Sequence, residues 1–207
     1  MLGTVTKGFR GFTQQKIREK RVGYNARSLH AVCTQFWVFF FCSKIYSNSY
    51  AIVVDVSEQR LYLKQFSKIV ESFPISTSKY GEGSIENSFK TPLGSHEIKE
   101  KIGDNVLVNT IFVARNNTGK VANIIKSSTN TESDHVTSRI LWLNGLESGV
   151  NNGPGVDSYS RYIYIHGTHE EGLIGQKASH GCIRMFNNDV IYLYDIVEKG
   201  TKVYIRA

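Results

Sequence analysis

The sequence predicts a mainly β domain with one C-terminal helix, preceded by a signal-like N-terminal segment. Short runs of alternating apolar and polar residues recur from Tyr50 onward, one helical pattern lies near the C-terminus, and a basic region followed by an apolar run opens the chain. A length of 207 residues with 41% hydrophobic content and three prolines suits one globular domain plus a terminal segment. We therefore place one domain at residues 50–207 and a separate segment at residues 1–49.

The strand predictions rest on alternation and on the turn residues between runs. Ala51–Val56 has apolar residues at every second position, and Leu61–Lys64 follows after a polar turn, which predicts a hairpin. Residues 115–135 are rich in Asn, Thr and Ser and are interpreted as a long surface loop or insertion. Further strands are predicted at Ile69–Ile75, Ser95–Lys99, Val106–Ala114, Ile140–Leu143, Tyr162–His166 and Lys202–Ile205.

One helix is predicted near the C-terminus. Asn187 or Asn188 can cap its start, and Asp189 lies in the first turn, where the helix dipole favours a negative charge. Gly200 is predicted to end the helix. The apolar residues at helical spacing are Val190, Ile191, Tyr194 and Val197.

The first 49 residues have the charge and apolar pattern of a secretory signal. They hold eight of the 25 Lys and Arg and one of the 18 Asp and Glu, so the remainder holds 17 of each and is neutral. The basic region runs into the apolar stretch Phe36–Cys42, and small residues precede a cleavage position before Tyr50. We predict export to the periplasm or cell wall with no stable membrane span afterwards, since a spanning helix needs about 20 apolar residues. An uncleaved membrane anchor or a short buried segment is the alternative.

The neutral domain argues against a nucleic-acid partner, because binding to phosphates requires clustered positive charge. Cleavage would also remove Cys33 and Cys42 and leave Cys182 as the lone thiol of the mature chain. A lone cysteine cannot form an internal disulfide, and an odd thiol in an exported protein is typical of a reactive group or an intermolecular bridge. A small buried apolar thiol is the alternative.

Candidate catalytic residues concentrate in two short segments, His166-Gly167-Thr168-His169 and Ser179-His180-Gly181-Cys182-Ile183-Arg184. A thiol needs a nearby base or positive charge, because its ordinary pKa of about 8.5 leaves only a few per cent as thiolate near neutrality. In an extended segment His180 would lie about 6.5 Å along the strand from Cys182, too far for a direct hydrogen bond. His166 ends a predicted strand, and cross-strand neighbours approach to about 5 Å between Cβ atoms. We therefore predict Cys182 as the nucleophile and His166 as its base.

These segments also carry a family resemblance. Arg161–Val197, with its His-Gly-Thr and Ser-His-Gly-Cys-Ile-Arg-Met strings, resembles the catalytic domain of L,D-transpeptidases of the YkuD type. The similarity extends more loosely back through Lys90–Gly94 to the opening hairpin. The resemblance implies a β-sandwich-like fold in which Cys182 attacks, His166 accepts and returns the proton, and the backbone carbonyl of Gly167 orients the imidazole.

The resemblance implies further roles and a reaction. Ser179, His180 and Gly181 would shape the pocket and the oxyanion environment, and Arg184 would contact substrate or brace the site. The substrates would be peptidoglycan stem peptides. The reaction would be acyl transfer from a stem tetrapeptide, with release of terminal D-alanine and formation of a 3→3 cross-link in cell-wall biosynthesis. No metal or organic cofactor is implied, and the protein is expected to be a monomer. The long insertion at residues 115–135 departs from the family pattern.

Three other functions remain open at this point. Water as the acyl acceptor would make the same site an L,D-carboxypeptidase, and an exported wall-binding protein could keep the fold without catalysis. The third is a zinc site, although the ligand spacing is not a familiar zinc frame; its ligands would be His166, His169, His180 and Cys182.

Two structural alternatives also remain open. Arg184 pairs equally well with an acid such as Glu170 or Glu171, because a guanidinium fork binds any carboxylate. The alternating tyrosines could line a sugar-binding groove, but such aromatics ordinarily pack within a sheet; they are Tyr159, Tyr162 and Tyr164.

Overall fold

The computed structural model describes residues 50–207, so the predicted export segment with Cys33 and Cys42 lies outside the described residues and stays a prediction. No helix in that described part is long and apolar enough to cross a membrane. In chain order the elements are β1 (Tyr50–Asp55), β2 (Arg60–Gln65), β3 (Lys68–Ser76), β4 (Gly94–Ile102), β5 (Thr110–Val113), β6 (Asn116–Val121), β7 (Val136–Gly145), β8 (Tyr164–Thr168), a 3₁₀ helix (Glu171–Leu173), β9 (Ile183–Met185), α1 (Asn187–Ile196) and β10 (Lys202–Arg206).

The strands form one sheet in the order β4-β10-β1-β2-β3-β9-β8-β7-β5-β6, and β4 also pairs with β7. The first eight strands of this order therefore close into a ring, and the β5–β6 hairpin extends from it at β7. Two neighbouring pairs, β1 with β10 and β8 with β9, are parallel. Apolar side chains from the two sides of the ring pack into a common core, as in a sandwich. The predicted fold class, mainly β with one helix, is confirmed.

The predicted opening hairpin is confirmed as β1 and β2. Ile52 pairs with Leu63 and Val54 with Leu61, and all four side chains are buried. Alternation in the sequence identified this face because one side of the hairpin packs on the core while the other meets solvent.

The interpretation of residues 115–135 as a loop is wrong for its first part. Asn116–Val121 forms β6, which pairs with β5 through a tight turn at Ala114 and Arg115. Every residue of β6 is exposed, so this edge strand has no apolar alternation that would have revealed it. The strand predicted at Val106–Ala114 shortens correspondingly to Thr110–Val113.

The prediction that Asn187 or Asn188 caps the helix is also wrong. The N-cap position is Phe186, and no side chain makes a capping hydrogen bond there. The helix ends at Ile196, and Gly200 lies beyond it in the turn before β10. Asn187 is instead committed to hydrogen bonds with other parts of the fold, described below.

Strands β7 and β8 separate two apolar clusters, because successive side chains of a strand point to opposite faces. Leu141 and Ile165 lie in the main core, whereas Trp142 and Tyr164 belong to a second, smaller cluster. His166 is the next residue of β8 on the face of Tyr164, and the two ring centroids are 6.5 Å apart. The second face of these strands therefore carries the predicted base.

A bulge in β7 is tied to the start of α1 by Asn187. The register of β7 against β8 shifts after Thr137, and Ser138 adopts a φ of 63°. The hydroxyls of Thr137 and Ser138 donate to Asn187 Oδ1 at 2.7 and 2.5 Å, and Asn187 Nδ2 donates to the Thr168 carbonyl at 2.7 Å. Asn187 is 2% exposed, so it locks the end of β8 to the helix from inside the protein.

We expect Asn187→Ala to lower the free energy of unfolding by about 3 kcal/mol, because it leaves buried hydroxyls and a carbonyl without partners. Urea unfolding measures this change. Asn188→Ala is the matched control, since Asn188 is exposed in the same helical turn, and its effect should stay within about 0.5 kcal/mol. Equal effects for the two variants would contradict the role assigned to Asn187.

Candidate active site

Cys182 lies in a bend immediately before β9, which runs parallel beside β8 and pairs Arg184 with His166. The backbone N–H of Tyr164 donates to Cys182 Sγ at 3.4 Å, and Sγ donates to the carbonyl oxygen of Tyr162 at 3.3 Å. The sulfur thus rests against the start of the strand that carries His166. The strand adjacency on which the choice of His166 depended is present in the structure.

The His166 imidazole is 2% exposed and is held by its own strand. Its Nδ1 lies 2.7 Å from the Gly167 carbonyl oxygen. A carbonyl only accepts, so Nδ1 carries the proton and Nε2 is left to act as the base. No hydrogen bond joins the imidazole to Cys182 Sγ among residues 50–207. Such contacts are often long without substrate and tighten in the reactive complex.

Gly167 has no room for a side chain. A Cβ at this position would lie 2.5 Å from Asn187 Oδ1 and 2.8 Å from the Thr137 carbonyl oxygen. The close approach of the bulge and the helix start therefore fixes the peptide whose carbonyl orients the imidazole.

The Cys182 thiol and the His166 imidazole are both neutral near pH 7. The pKa of Cys182 is raised to about 12, because burial and the Asp134 carboxylate raise it by more than the Tyr164 N–H and the charges of Arg184 and Arg161 lower it. Burial also lowers the pKa of His166, although Asp134 partly opposes this shift. The substrate-free site therefore holds a thiol and an imidazole, and proton transfer belongs to the reaction step.

Ser179 and Gly181 shape the bend that presents Cys182. Ser179 Oγ donates to the Cys182 carbonyl at 2.6 Å and accepts from the Gly181 N–H at 3.2 Å, and Thr91 Oγ1 donates to the Gly181 carbonyl at 3.0 Å. Gly181 adopts a φ of +122°, which other residues rarely adopt. The Gly181 N–H is therefore already used, whereas the Cys182 N–H has no hydrogen-bond partner within the described residues and can face an oxyanion.

Arg184 is fully buried between two acids. Its Nη1 lies 2.9 Å from Glu170 Oε2, and its Nη2 lies 2.6 Å from Asp134 Oδ2. Of the two acids considered from the sequence, Glu170 pairs with it, while Glu171 accepts hydrogen bonds from Asn187. The Arg184 side chain is 1% exposed. The geometry therefore supports the bracing role and leaves no surface for direct contact with substrate.

Sequence reasoning missed Asp134, which brings the loop before β7 into the site. Its Oδ2 accepts from His180 Nδ1 at 3.0 Å as well as contacting Arg184, and its side chain is 28% exposed. Burial opposes ionisation, but the Arg184 charge, the His166 imidazole and the hydrogen bonds from Arg184 and His180 together outweigh it, and the pKa of Asp134 falls to about 2. Thr131 of the same loop donates from Oγ1 to Glu170 at 2.7 Å. No motif marks these partners, because they lie tens of residues apart in the chain.

Sequence reasoning also missed the role of Arg161, which opens the family-like segment. Its guanidinium donates to the carbonyls of Lys90 at 2.7 Å and Gly83 at 3.3 Å. Its charge lowers the pKa of Cys182. The position of Arg161 in the sequence did not indicate this effect on Cys182, because the whole of β8 lies between the two residues along the chain.

The remaining predicted residues have other partners. His180 is exposed, and its ring lies 5.9 Å from Tyr80 and 6.1 Å from Phe89, measured between centroids. His169 packs against His135 at 4.6 Å between ring centroids. Within residues 50–207 no three His, Cys, Asp or Glu side chains are grouped so as to hold a metal ion, so the residues considered for zinc do not converge.

The comparisons with known proteins all point to one family. The model of the YkuD family, described as the L,D-transpeptidase catalytic domain, matches residues 49–205. The probable L,D-transpeptidase ErfK/SrfK of Escherichia coli K12 is 30% identical over 159 residues, which cover 74% of this chain and 43% of that protein. The putative L,D-transpeptidase YkuD of Bacillus subtilis is 56% identical over 49 residues, 23% of this chain and 30% of that protein.

A solved L,D-transpeptidase from Mycobacterium smegmatis is 17% identical, with a TM-score of 0.46, over 77% of this chain and 59% of that one. The chain spans less than half the length of the E. coli relative.

We expect Asp134→Asn to lower the free energy of unfolding at pH 7 by about 2 kcal/mol, because a pKa difference of about two units corresponds to slightly more than this before screening by solvent reduces it. The pKa of Asp134 in the folded protein is about 2, below the unfolded value of about 3.9. A lowered folded pKa stabilises the protein above the unfolded pKa, and this contribution is lost as the pH falls from about 4 to about 2. Urea unfolding between pH 7 and pH 3 measures the difference between variant and wild type. A stability difference that stays constant with pH would contradict the role assigned to the Asp134 charge. Glu132→Gln is the control, because Glu132 is exposed in the same loop.

We expect alkylation of Cys182 by iodoacetamide to accelerate about tenfold per pH unit from pH 6 to pH 9, because only the thiolate reacts. The pKa of about 12 places this whole range below the midpoint of thiol titration. Peptide mass spectrometry reports Cys182 separately from Cys33 and Cys42. A plateau below pH 8 would reveal a preformed thiolate–imidazolium pair and contradict the neutral site.

Proposed function

The chain belongs to the L,D-transpeptidase catalytic-domain family, and from this premise we propose that it is a cysteine acyltransferase that cross-links peptidoglycan stem peptides. One observation carries the proposal. Cys182 Sγ is held against the start of β8 by the Tyr164 N–H, and the same strand presents a buried His166 whose Nε2 is free to accept a proton. A thiol beside a strand that carries a base is the arrangement that nucleophilic acyl transfer requires.

In the first half-reaction Cys182 Sγ attacks the carbonyl that joins the third stem residue, at an L-centre such as that of diaminopimelate, to the terminal D-alanine. The thiol proton passes to His166 Nε2 as the S–C bond forms. The C–N bond then breaks, His166 returns the proton to the amine of D-alanine, and a thioester remains on the enzyme. A thiol suits both halves of the reaction because it is a good nucleophile and a good leaving group.

In the second half-reaction an amine of a neighbouring stem attacks the thioester, the C–S bond breaks, and the amine proton passes through His166 Nε2 to the sulfur, so that Cys182 leaves as the thiol. The product is a 3→3 cross-link. In both steps the unpartnered Cys182 N–H would donate to the developing oxyanion, an interaction worth about 3 kcal/mol per donor in acyl-transfer enzymes. The charges of Arg161 and Arg184 favour negative charge on the sulfur, which offsets part of the cost of its burial.

Export follows from the proposed substrate, since peptidoglycan stems lie outside the cytoplasm. The signal-like pattern of residues 1–49 supports delivery to the periplasm or cell wall. Hydrolysis of the same thioester would make the protein an L,D-carboxypeptidase, and the two activities differ only in whether water or an amine reaches the thioester.

The test is to incubate the full-length protein with a disaccharide tetrapeptide and to measure its intact mass. We expect an adduct on Cys182 equal to the donor minus D-alanine, and none in Cys182→Ala. His166→Ala should slow adduct formation by about 10²- to 10⁴-fold, the usual contribution of a general base. His135→Ala, which removes an imidazole that contacts His169 and not Cys182, should change the rate less than threefold (about 0.6 kcal/mol).

Product analysis separates the possible outcomes. A stem dimer supports the transpeptidase, whereas free D-alanine and tripeptide without dimer support the carboxypeptidase. Neither product, together with equal wall binding by Cys182→Ala and wild type, would show a non-catalytic wall-binding protein and exclude the enzyme.

A further inference from the structure

A cavity of about 420 Å³ adjoins the nucleophile. It lies on the face of the sheet that carries the second apolar cluster, and Arg115 is the one charged residue among those that line it. Two of its lining residues, Tyr162 and Tyr164, are also the residues whose backbone atoms contact Cys182 Sγ. A group bound in this cavity would therefore lie next to the reacting sulfur.

The Arg115 guanidinium is held in place by aromatic rings and not by acids. Its Cζ lies 4.7 Å from the centroid of the Trp142 ring and 4.8 Å from that of Tyr162, and Nη1 donates to Tyr164 Oη at 3.2 Å. Arginine has five N–H donors, and no carboxylate pairs with Arg115 in the part of the chain that the structure describes. Buried Arg184, by contrast, contacts two carboxylates. Arg115 therefore keeps an uncompensated charge and several free donors.

The backbone that presents Arg115 is strained. Ala114 and Arg115 have φ values of 46° and 69° and form the two-residue turn between β5 and β6. Such a turn favours Asn-Gly, because side chains disfavour positive φ at both positions. Tyr162, which also lines the cavity, has a positive φ of 59° as well. Strain of this kind persists where the conformation serves a function, and here it sets a guanidinium over the rings beside Cys182.

We propose that Arg115 binds a carboxylate of the donor stem peptide and is a specificity-determining residue for it. The proposal rests on the proposed function and adds to it the group by which the donor is selected. A guanidinium binds a carboxylate through paired N–H donors. Two carboxylates of the donor fit this chemistry, the terminal one on D-alanine and the side-chain one on a diaminopimelate third residue.

The experiment compares three donors, namely the free tetrapeptide, its C-terminal amide and its side-chain amide. Arg115→Gln should lower kcat/KM for the free tetrapeptide by about 10- to 100-fold, the value of a charged hydrogen-bonded pair. Amidation of the recognised carboxylate should lower kcat/KM of the wild type by a similar factor and should leave kcat/KM of Arg115→Gln almost unchanged. The amide that shows this coupling identifies which carboxylate is bound. If each amidation lowers kcat/KM by the same factor in Arg115→Gln and in the wild type, the proposal is overturned.

A second variant separates recognition from structural support. Arg115→Gly suits the positive φ of the turn, so its melting temperature should equal or exceed that of the wild type while the preference for the free carboxylate disappears. A lower melting temperature with undiminished preference would assign a structural role to Arg115 and overturn the proposal. Lys99→Gln is the matched control. Lys99 lies 3.8 Å from the Tyr159 ring, which stacks on Trp142, but it does not line the cavity.

Binding distinguishes failure of this inference from failure of the proposed function. In a Cys182→Ala background, the Kd for the free tetrapeptide should rise by about 10- to 100-fold when Arg115→Gln is added. This measurement needs no turnover. If the wild type forms no adduct but binding still depends on Arg115, only the catalytic proposal fails. If adducts form and binding does not depend on Arg115, only the recognition proposal fails.

Discussion

The parallel pairing of β8 with β9 is the constraint on which the site depends. It sets His166 opposite Arg184 and brings the bend before β9 against the start of β8, where backbone atoms of Tyr162 and Tyr164 meet the sulfur. Because side chains alternate along a strand, a slip of one residue would turn the His166 ring into the main core. The bulge in β7 and the contacts of Asn187 hold that register, since both are joined to β8 at its carboxyl end.

Electrostatics at the site balance the desolvation of a partly buried thiol against a group of fixed charges. Desolvation keeps Cys182 protonated, and two guanidinium groups, those of Arg161 and Arg184, act in the opposite direction. Arg184 can remain buried because Glu170 and Asp134 neutralise it, whereas an unpaired charge at that depth would be costly. A neutral thiol is also less exposed to unwanted alkylation and oxidation than a resting thiolate. In the proposed mechanism the thiol would therefore become reactive only when a substrate carbonyl and the imidazole meet at the sulfur.

The sequence was informative where a pattern is local. Alternation found β1 and β2, and the two short strings around residues 166 and 182 identified the segments that the fold brings side by side. It was uninformative where a role arises only from tertiary contact. Asp134 is polar and lies in a loop, and its partners His180 and Arg184 become neighbours only after folding. Strand β6 and the helix start were misjudged for related reasons, since an exposed edge strand needs no apolar alternation and Asn187 bonds across the fold in preference to capping its own helix.

Residues 115–135 place two opposite charges near Cys182, and these two charges have different partners. Asp134, near one end of residues 115–135, pairs with Arg184 and His180. Its negative charge is therefore balanced within the site. Arg115, at the other end, meets only aromatic rings and a phenol, so its charge remains available to a ligand. The domain as a whole is neutral, so its net charge supplies no general attraction for anions. Under the recognition proposed above, the charge that selects a carboxylate is therefore local, and Arg115 is the charged residue that lines the cavity.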